Sequence, residues 1–234
     1  MTSSLDEADV DDDSASACPV TSSLLLARPG EPIVLWEDAR AVLACDPGVQ
    51  SGWVLAVSTR GVIVPIASML IGTRSRPGRR GVPMVRVHAP ACYDHERALR
   101  RLLDVYESAT TLPDDAADGA LWCRPLPVVA CEDWFAGVNP GTARDIARQF
   151  YFAEAAAQRH GLVFRAVANQ TWKKTYLGRG NMRSDEALLA YSAAGYAAHP
   201  HVERWAGATV GALTQTDDAA ALGIATWYLR TEQT

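Results

Sequence analysis

The sequence predicts a mixed α/β domain, a sheet that starts antiparallel and grows through parallel crossovers, with helices packed on it. Two observations predict it. Between residues 41 and 70, three apolar, strand-like runs follow one another with only short turns between them. From residue 94 onward, segments with helical apolar spacing alternate with short apolar runs, the pattern of strand–helix–strand units. No repeat at a solenoid period is present.

Taken in order, residues 1–32 are rich in Ser, Asp, Ala and Thr without a sustained period and read as an acidic disordered tail, which leaves 33–234 as one folded domain. Ala41 to Cys45 is a buried strand ended by the turn Asp46-Pro47-Gly48. Trp53 to Ser58 and Val62 to Leu70 are two further strands, joined by Thr59-Arg60-Gly61 into a meander with the first, and Pro65 places the third at the sheet's edge. Residues 72–91 are an insertion of Gly, Pro and five arginines, read as an exposed loop or ribbon. Leu99, Leu102, Leu103 and Tyr106 put a helix at about 94–108, and 113–119 is an acidic loop. Leu126 to Cys131 is a buried strand running into Glu132. A helix over 142–160 carries Ile146, Phe150, Ala153 and Ala157 on one face and stops at Gly161. A strand at 162–167 and a short helix at 169–177 follow. Ser184 caps a helix to about 198, and Thr216 or Asp217 caps a last one to about 229.

Composition narrows the classes. At 48% apolar and 21% charged residues the chain has the balance of a globular protein, and no apolar run approaches the ~20 residues of a membrane span. The acidic start lacks the basic and apolar regions of a secretory leader, so a cytoplasmic protein is expected. Net charge is −5, but residues 1–31 hold seven acids and one base, leaving 21 bases against 20 acids in the body. A near-neutral body with clustered arginines can still meet a polyanion through a local patch. Five cysteines without C-x-x-C or Cys/His spacing read as reduced thiols, Cys45 and Cys131 buried, and no zinc site is expected from them or from His88, His95 and His160.

Three acids stand where chemistry gathers in open α/β sheets: Asp46 after the first strand, Glu132 after the fourth, and Asp217 at the start of the last helix. Crowded carboxylates repel one another unless cations screen them, and hard oxygen donors suit Mg²⁺ or Mn²⁺. Two such ions can clamp a phosphodiester for in-line attack by water. Taken singly, each acid also fits a turn, an exposed strand end or a helix cap.

The combination resembles a known family. Asp46-Pro47-Gly48 with Gly52-Trp53 is similar to the D-P-G-x-x-x-G-[YW] opening of RuvC-type Holliday-junction resolvases, in the ribonuclease H-like superfamily. Val128 to Phe135 resembles the second motif, an apolar strand ending in Glu with an aromatic three residues on. Trp172-Lys173-Lys174-Thr175 through Gly178-Arg179-Gly180 resembles V-K-x-T-V-x-G-x-G, and Asp217 to Ala225 resembles the closing D-x-x-D-A-L-A-I-A helix. The resemblance implies a ribonuclease H-like mixed five-stranded sheet flanked by helices. It also implies a homodimeric, Mg²⁺-dependent endodeoxyribonuclease that cuts four-way DNA symmetrically, with two Mg²⁺ or Mn²⁺ ions per site, in the cytoplasm of a bacterium or phage-infected cell.

Carried over residue by residue, Asp46, Glu132 and Asp217 are metal ligands, Lys173 lies near the scissile phosphate, and Phe135 stacks on a base at the crossover. Where the family has a fourth acid this chain has Ala220, and Asp218 is the nearest substitute, although one residue turns about 100° around a helix. Where the family has a second lysine there is Ser184, with Arg183 beside it. Lys174, Arg179 and Arg183 are further candidates for DNA contact. In the long spacing between Asp46 and Glu132, Arg74, Arg76, Arg79 and Arg80 are expected on the DNA backbone. Three alternatives stay open: a junction-binding protein without cleavage, another ribonuclease H-like nuclease acting on RNA–DNA hybrid or flap DNA, and an actin-like or sugar-kinase-like ATPase. The last would need a second half with its own Asp-Gly loop, which the sequence lacks.

Overall fold

Strands form where the apolar runs are longest. In the computed structural model, which describes residues 20–25, 32–72, 89–113, 123–134, 140–177 and 216–231, β1 is Val20–Leu25, β2 Ile33–Val34, β3 Arg40–Asp46, β4 Gln50–Thr59 and β5 Val62–Gly72. Helix α1 (Cys92–Ala109), β6 (Thr110–Thr111), β7 (Val128–Glu132), α2 (Pro140–Arg159), β8 (Phe164–Val167) and α3 (Asn169–Leu177) follow. The last described helix, here α4, is Thr216–Thr231.

The main sheet has the order β1-β5-β4-β3-β7-β8. β3, β4 and β5 are antiparallel, while β7 is parallel to β3 and β8 to β7. The five strands from β5 to β8 form the mixed five-stranded sheet flanked by helices that was expected. β2 and β6 form a separate parallel pair.

The tail reading needs correction at one place. Val20–Leu25 pairs antiparallel with β5 as a sixth strand, so residues 1–32 are not disordered throughout. The six residues Val-Thr-Ser-Ser-Leu-Leu are β-branched or apolar at four places, a strand signal masked by the acidic and serine-rich sequence around it. This pairing also covers part of the strand that Pro65 was expected to leave at the edge. β1 reaches only Ala67 to Ile71, so Pro65, which has no N–H to give, lies beyond the paired stretch. The register on the other side of β5 slips just there: Leu55 faces Ala67 and Ala56 faces Pro65, leaving Ile66 as a bulge.

The hairpin between β4 and β5 turns at Arg60 and Gly61, both at positive φ (50° and 71°), the left-handed pair that a two-residue hairpin requires. The predicted helix at 184–198, the arginines of the 72–91 insertion other than its ends, and the acidic loop from residue 114 lie outside the described residues.

The sheet is buried on both faces, which is why β3 reads as an unbroken apolar run rather than an alternation. Ala41, Leu43 and Cys45 of β3 and Trp53, Leu55 and Val57 of β4 pack with α1 and α2. Val42, Ala44, Val54, Ala56 and Ala130 pack on the other face with Trp172 of α3 and with α4. Helix α4 contributes Ala219 to Leu222, Ile224, Ala225, Tyr228 and Leu229 to this second core, so it is apolar almost all round and fits tightly against the strands through its small residues.

Its C-terminal end is tied by Arg40, whose guanidinium donates to the Leu229 carbonyl at 2.6 Å. The C-terminal end of α4 therefore sits at the start of β3.

Candidate functional site

The parallel register of β3 and β7 brings two acids together. Cys45 is the partner of Cys131, so Asp46 and Glu132 come next on neighbouring strands, whose backbones run about 4.8 Å apart. Successive side chains alternate between faces. Cys45 and Cys131 point into the α1/α2 core, so both acids point to the opposite face, toward α3 and α4. Both are half-buried.

The thiols beneath them register both charges. Burial pushes the Cys45 and Cys131 thiols up, and the negative charges of Asp46 and Glu132 push them further. These cysteines are buried, form no disulfide and pack into the α1/α2 core, away from the face of the acids.

Each acid is held by its local chain. The turn after Asp46 is closed by Ser51, whose hydroxyl accepts from the Gly48 N–H at 3.1 Å and donates to the Gly48 carbonyl at 3.0 Å. Glu132 accepts from two side chains of α3: Trp172 donates Nε1–H to Oε2 at 2.7 Å, and Asn169 donates Nδ2–H to Oε1. Lys173 follows Trp172 with its ammonium 5.2 Å from the Trp172 ring centroid, half-buried, while Lys174 is exposed. Trp134 is half-buried against the α1/α2 core.

Of the residues expected from sequence, Asp46 and Glu132 are brought together at the strand ends, and Lys173 lies on α3 next to Trp172, a donor to Glu132. Asp217 and Asp218 belong to the first turn of α4 by backbone, but their side chains lie outside the described residues, as do Phe135, Arg179, Arg183, Arg74, Arg76, Arg79 and Arg80. Ala220 is 6% exposed and forms part of the buried stripe of α4, with no carboxylate to offer. Among the described residues no group of three or more His, Cys, Asp and Glu side chains is placed to hold a metal ion. The donors present are two carboxylates on one face, a set that fits a hard divalent cation and not a soft one.

Sequence reasoning missed Asn169 and Trp172 as partners of Glu132. A signal was there, since the two lie three residues apart and so share one side of α3. It also missed the partner of His95. On the α1/α2 face His95 is fully buried, its Nε2 2.8 Å from Gln149 Oε1, while Gln149 Nε2 donates to the Pro90 carbonyl at 3.1 Å. With the Gln149 amide nitrogen on Pro90, His95 donates its Nε2–H to the Gln149 oxygen. Burial pushes it down to about 4, the bond to Gln149 opposing only part of that shift. His88 lies outside the described residues.

No protein-family model matches the chain, and no curated protein does. Among solved structures it is similar to RuvC of Thermus thermophilus at 16% identity and a TM-score of 0.46, over 82% of this chain and 96% of that one. A T. thermophilus RuvC in complex with a Holliday junction substrate aligns over the same shares at 18% identity and a TM-score of 0.45. A Ppx/GppA family protein of Aquifex aeolicus aligns at 11% identity and a TM-score of 0.30, over 66% of this chain and 40% of that one. No described helix is long and apolar enough to cross a membrane.

Proposed function

We propose that this chain is a structure-selective endodeoxyribonuclease that hydrolyses phosphodiesters at four-way DNA junctions, acting as a homodimer in the cytoplasm of a bacterium or phage-infected cell. The observation that carries it is the pairing of Asp46 and Glu132 on one face, at the C-terminal ends of adjacent parallel strands. The first two sequence motifs end in these acids and the third includes Trp172, a donor to Glu132, which supports the same reading.

In this proposal Asp46, Glu132, Asp217 and Asp218 hold two Mg²⁺ or Mn²⁺ ions. When bound, the ions supply an activated water and neutralise charge on the phosphate. The protein's own residues do the rest. Lys173, carried on the buried Trp172, offsets negative charge that develops on the phosphoryl oxygens. Ser51 keeps the Asp46 turn closed, and the donors on α3 keep Glu132 in one rotamer. Phe135, just beyond the anchored Trp134, stacks on an unpaired base at the crossover, worth roughly 1–3 kcal/mol. Arg74, Arg76, Arg79 and Arg80, with Lys174, Arg179 and Arg183, hold the backbone of the arms.

A second reading, junction binding without cleavage, is favoured by the buried Ala220, which leaves the acid set one short of the family's pattern. Incubation with Mg²⁺ or Mn²⁺ on labelled four-way, duplex, flap and RNA–DNA hybrid substrates separates the two. Paired nicks confined to the four-way substrate support the endonuclease. Tight junction binding with no product under either metal moves the assignment to the second reading, and preference for hybrid or flap overturns the substrate class.

A further inference from the structure

Glu132 is gripped more firmly than an acid at a strand end needs to be. Both of its oxygens accept from side chains of one helix, and one of those donors, Trp172, is 0% exposed and packed in the second core with Ala130, Val167 and the alanines of α4. Buried on all sides, the indole has no room to change rotamer. Its N–H can only donate, so Oε2 is held as an acceptor, whereas an amide or hydroxyl partner could reverse its role. Asn169 opens α3 two residues after Val167, the strand partner of Glu132, so the backbone ladder sets the distance from carboxylate to helix.

We propose that Trp172 and Asn169 are positioning residues for cation binding by Glu132. Each takes one lone pair from one oxygen and leaves the others, out of about four, for a cation. Both donors are neutral. An Arg or Lys in either place would hold the carboxylate as well but would add a positive charge that competes with a cation. Trp172 also seats the Lys173 ammonium over its ring at 5.2 Å, so one buried side chain touches both the carboxylate and a cationic group. Partners of this kind orient metal ligands, and their loss weakens metal binding 10–100-fold in other proteins. The inference rests on the reading of Asp46 and Glu132 as cation ligands.

The test measures binding rather than turnover. The chain has seven tryptophans, and the indole N–H signal of Trp172 in a ¹⁵N–¹H spectrum is the one absent from Trp172→Phe. In the wild type this signal moves saturably as Mg²⁺ is added and does not move in Asp46→Asn. By calorimetry, Trp172→Phe and Asn169→Ala each raise the Kd for Mg²⁺ at least tenfold while leaving the fold intact. An unchanged Kd in both variants, or a Trp172 signal indifferent to a cation that Asp46→Asn abolishes, overturns the proposal. Should Trp172→Phe fail to fold, Asn169→Ala carries the same test from the half-buried start of the helix. Failure of the underlying reading shows differently: the wild type then binds no Mg²⁺ at all.

Discussion

Acidification should destabilise this protein through one histidine on the face away from the acids. In the unfolded chain His95 titrates near its ordinary value of 6.5, and in the fold at about 4. Between those values the unfolded chain binds a proton that the folded chain does not, so stability rises with pH across that window. The contribution is complete above about pH 6.5, drains away as pH falls toward 4, and is constant below that. At about 1.4 kcal/mol per unit of difference, pH 5 costs about 2 kcal/mol. Among the described residues, the groups around His95 are Trp53, Phe152 and Gln149, with Asp94 beside it on α1 already paired with Arg97 at 3.2 Å. His95→Gln is the comparison, because its amide can donate to Gln149 Oε1 from a similar reach without titrating. Urea unfolding at pH 7.5, 6.0 and 5.0 should show the wild type losing about 2 kcal/mol more than the variant over that range. Equal losses in the two chains would clear His95 of any part in acid sensitivity, since titrations elsewhere cancel in the difference.

Further outcomes follow from the acid end of the sheet and the arginine-rich insertion. Ala220→Asp puts a carboxylate at a position 6% exposed, so in EDTA it should lower stability by about 1–3 kcal/mol, seen as a drop in Tm. Added Mg²⁺ should return more of this than the wild type gains, and a variant as stable as the wild type in EDTA would show that position 220 opens to water. Replacing Arg74, Arg76, Arg79 and Arg80 together by Gln should weaken junction binding and flatten its dependence on salt, by up to about 0.9 in log–log slope for each phosphate no longer neutralised. An unchanged slope would remove the insertion from the DNA interface.

Much of the fold was legible because its strands are buried on both faces. Unbroken runs such as Ala41 to Cys45 and Val128 to Cys131 leave no doubt about strand type, and the turns at Asp46-Pro47-Gly48 and Arg60-Gly61 carry their own chemistry. The strand at Val20–Leu25 was hidden because its partner, β5, is distant in sequence and its neighbours are acidic and serine-rich, so only tertiary pairing reveals it. Pro65 misled for a related reason: a proline vetoes one hydrogen bond, not a whole strand edge. In the site, Asp46 and Glu132 could be read because strand ends in such sheets converge. That Trp172 and Asn169 grip Glu132 could not, since an aromatic beside two lysines reads equally as core or as nucleic-acid contact until the register of β7 and β8 sets α3 beside the carboxylate.

Whether Asp46 and Glu132 form a hydrolytic site is decided by one comparison: the rate of nicking of a four-way junction in Mg²⁺ by the wild type and by Asp46→Asn, at protein concentrations that saturate binding in both. The wild type should make paired nicks, and the variant should lose at least a thousandfold, by order of magnitude, with junction affinity kept, because the transition-state charge loses its electrostatic stabilisation. Nicking that survives Asp46→Asn, or a wild type that binds the junction and never cuts it, would contradict a hydrolytic role for the pair.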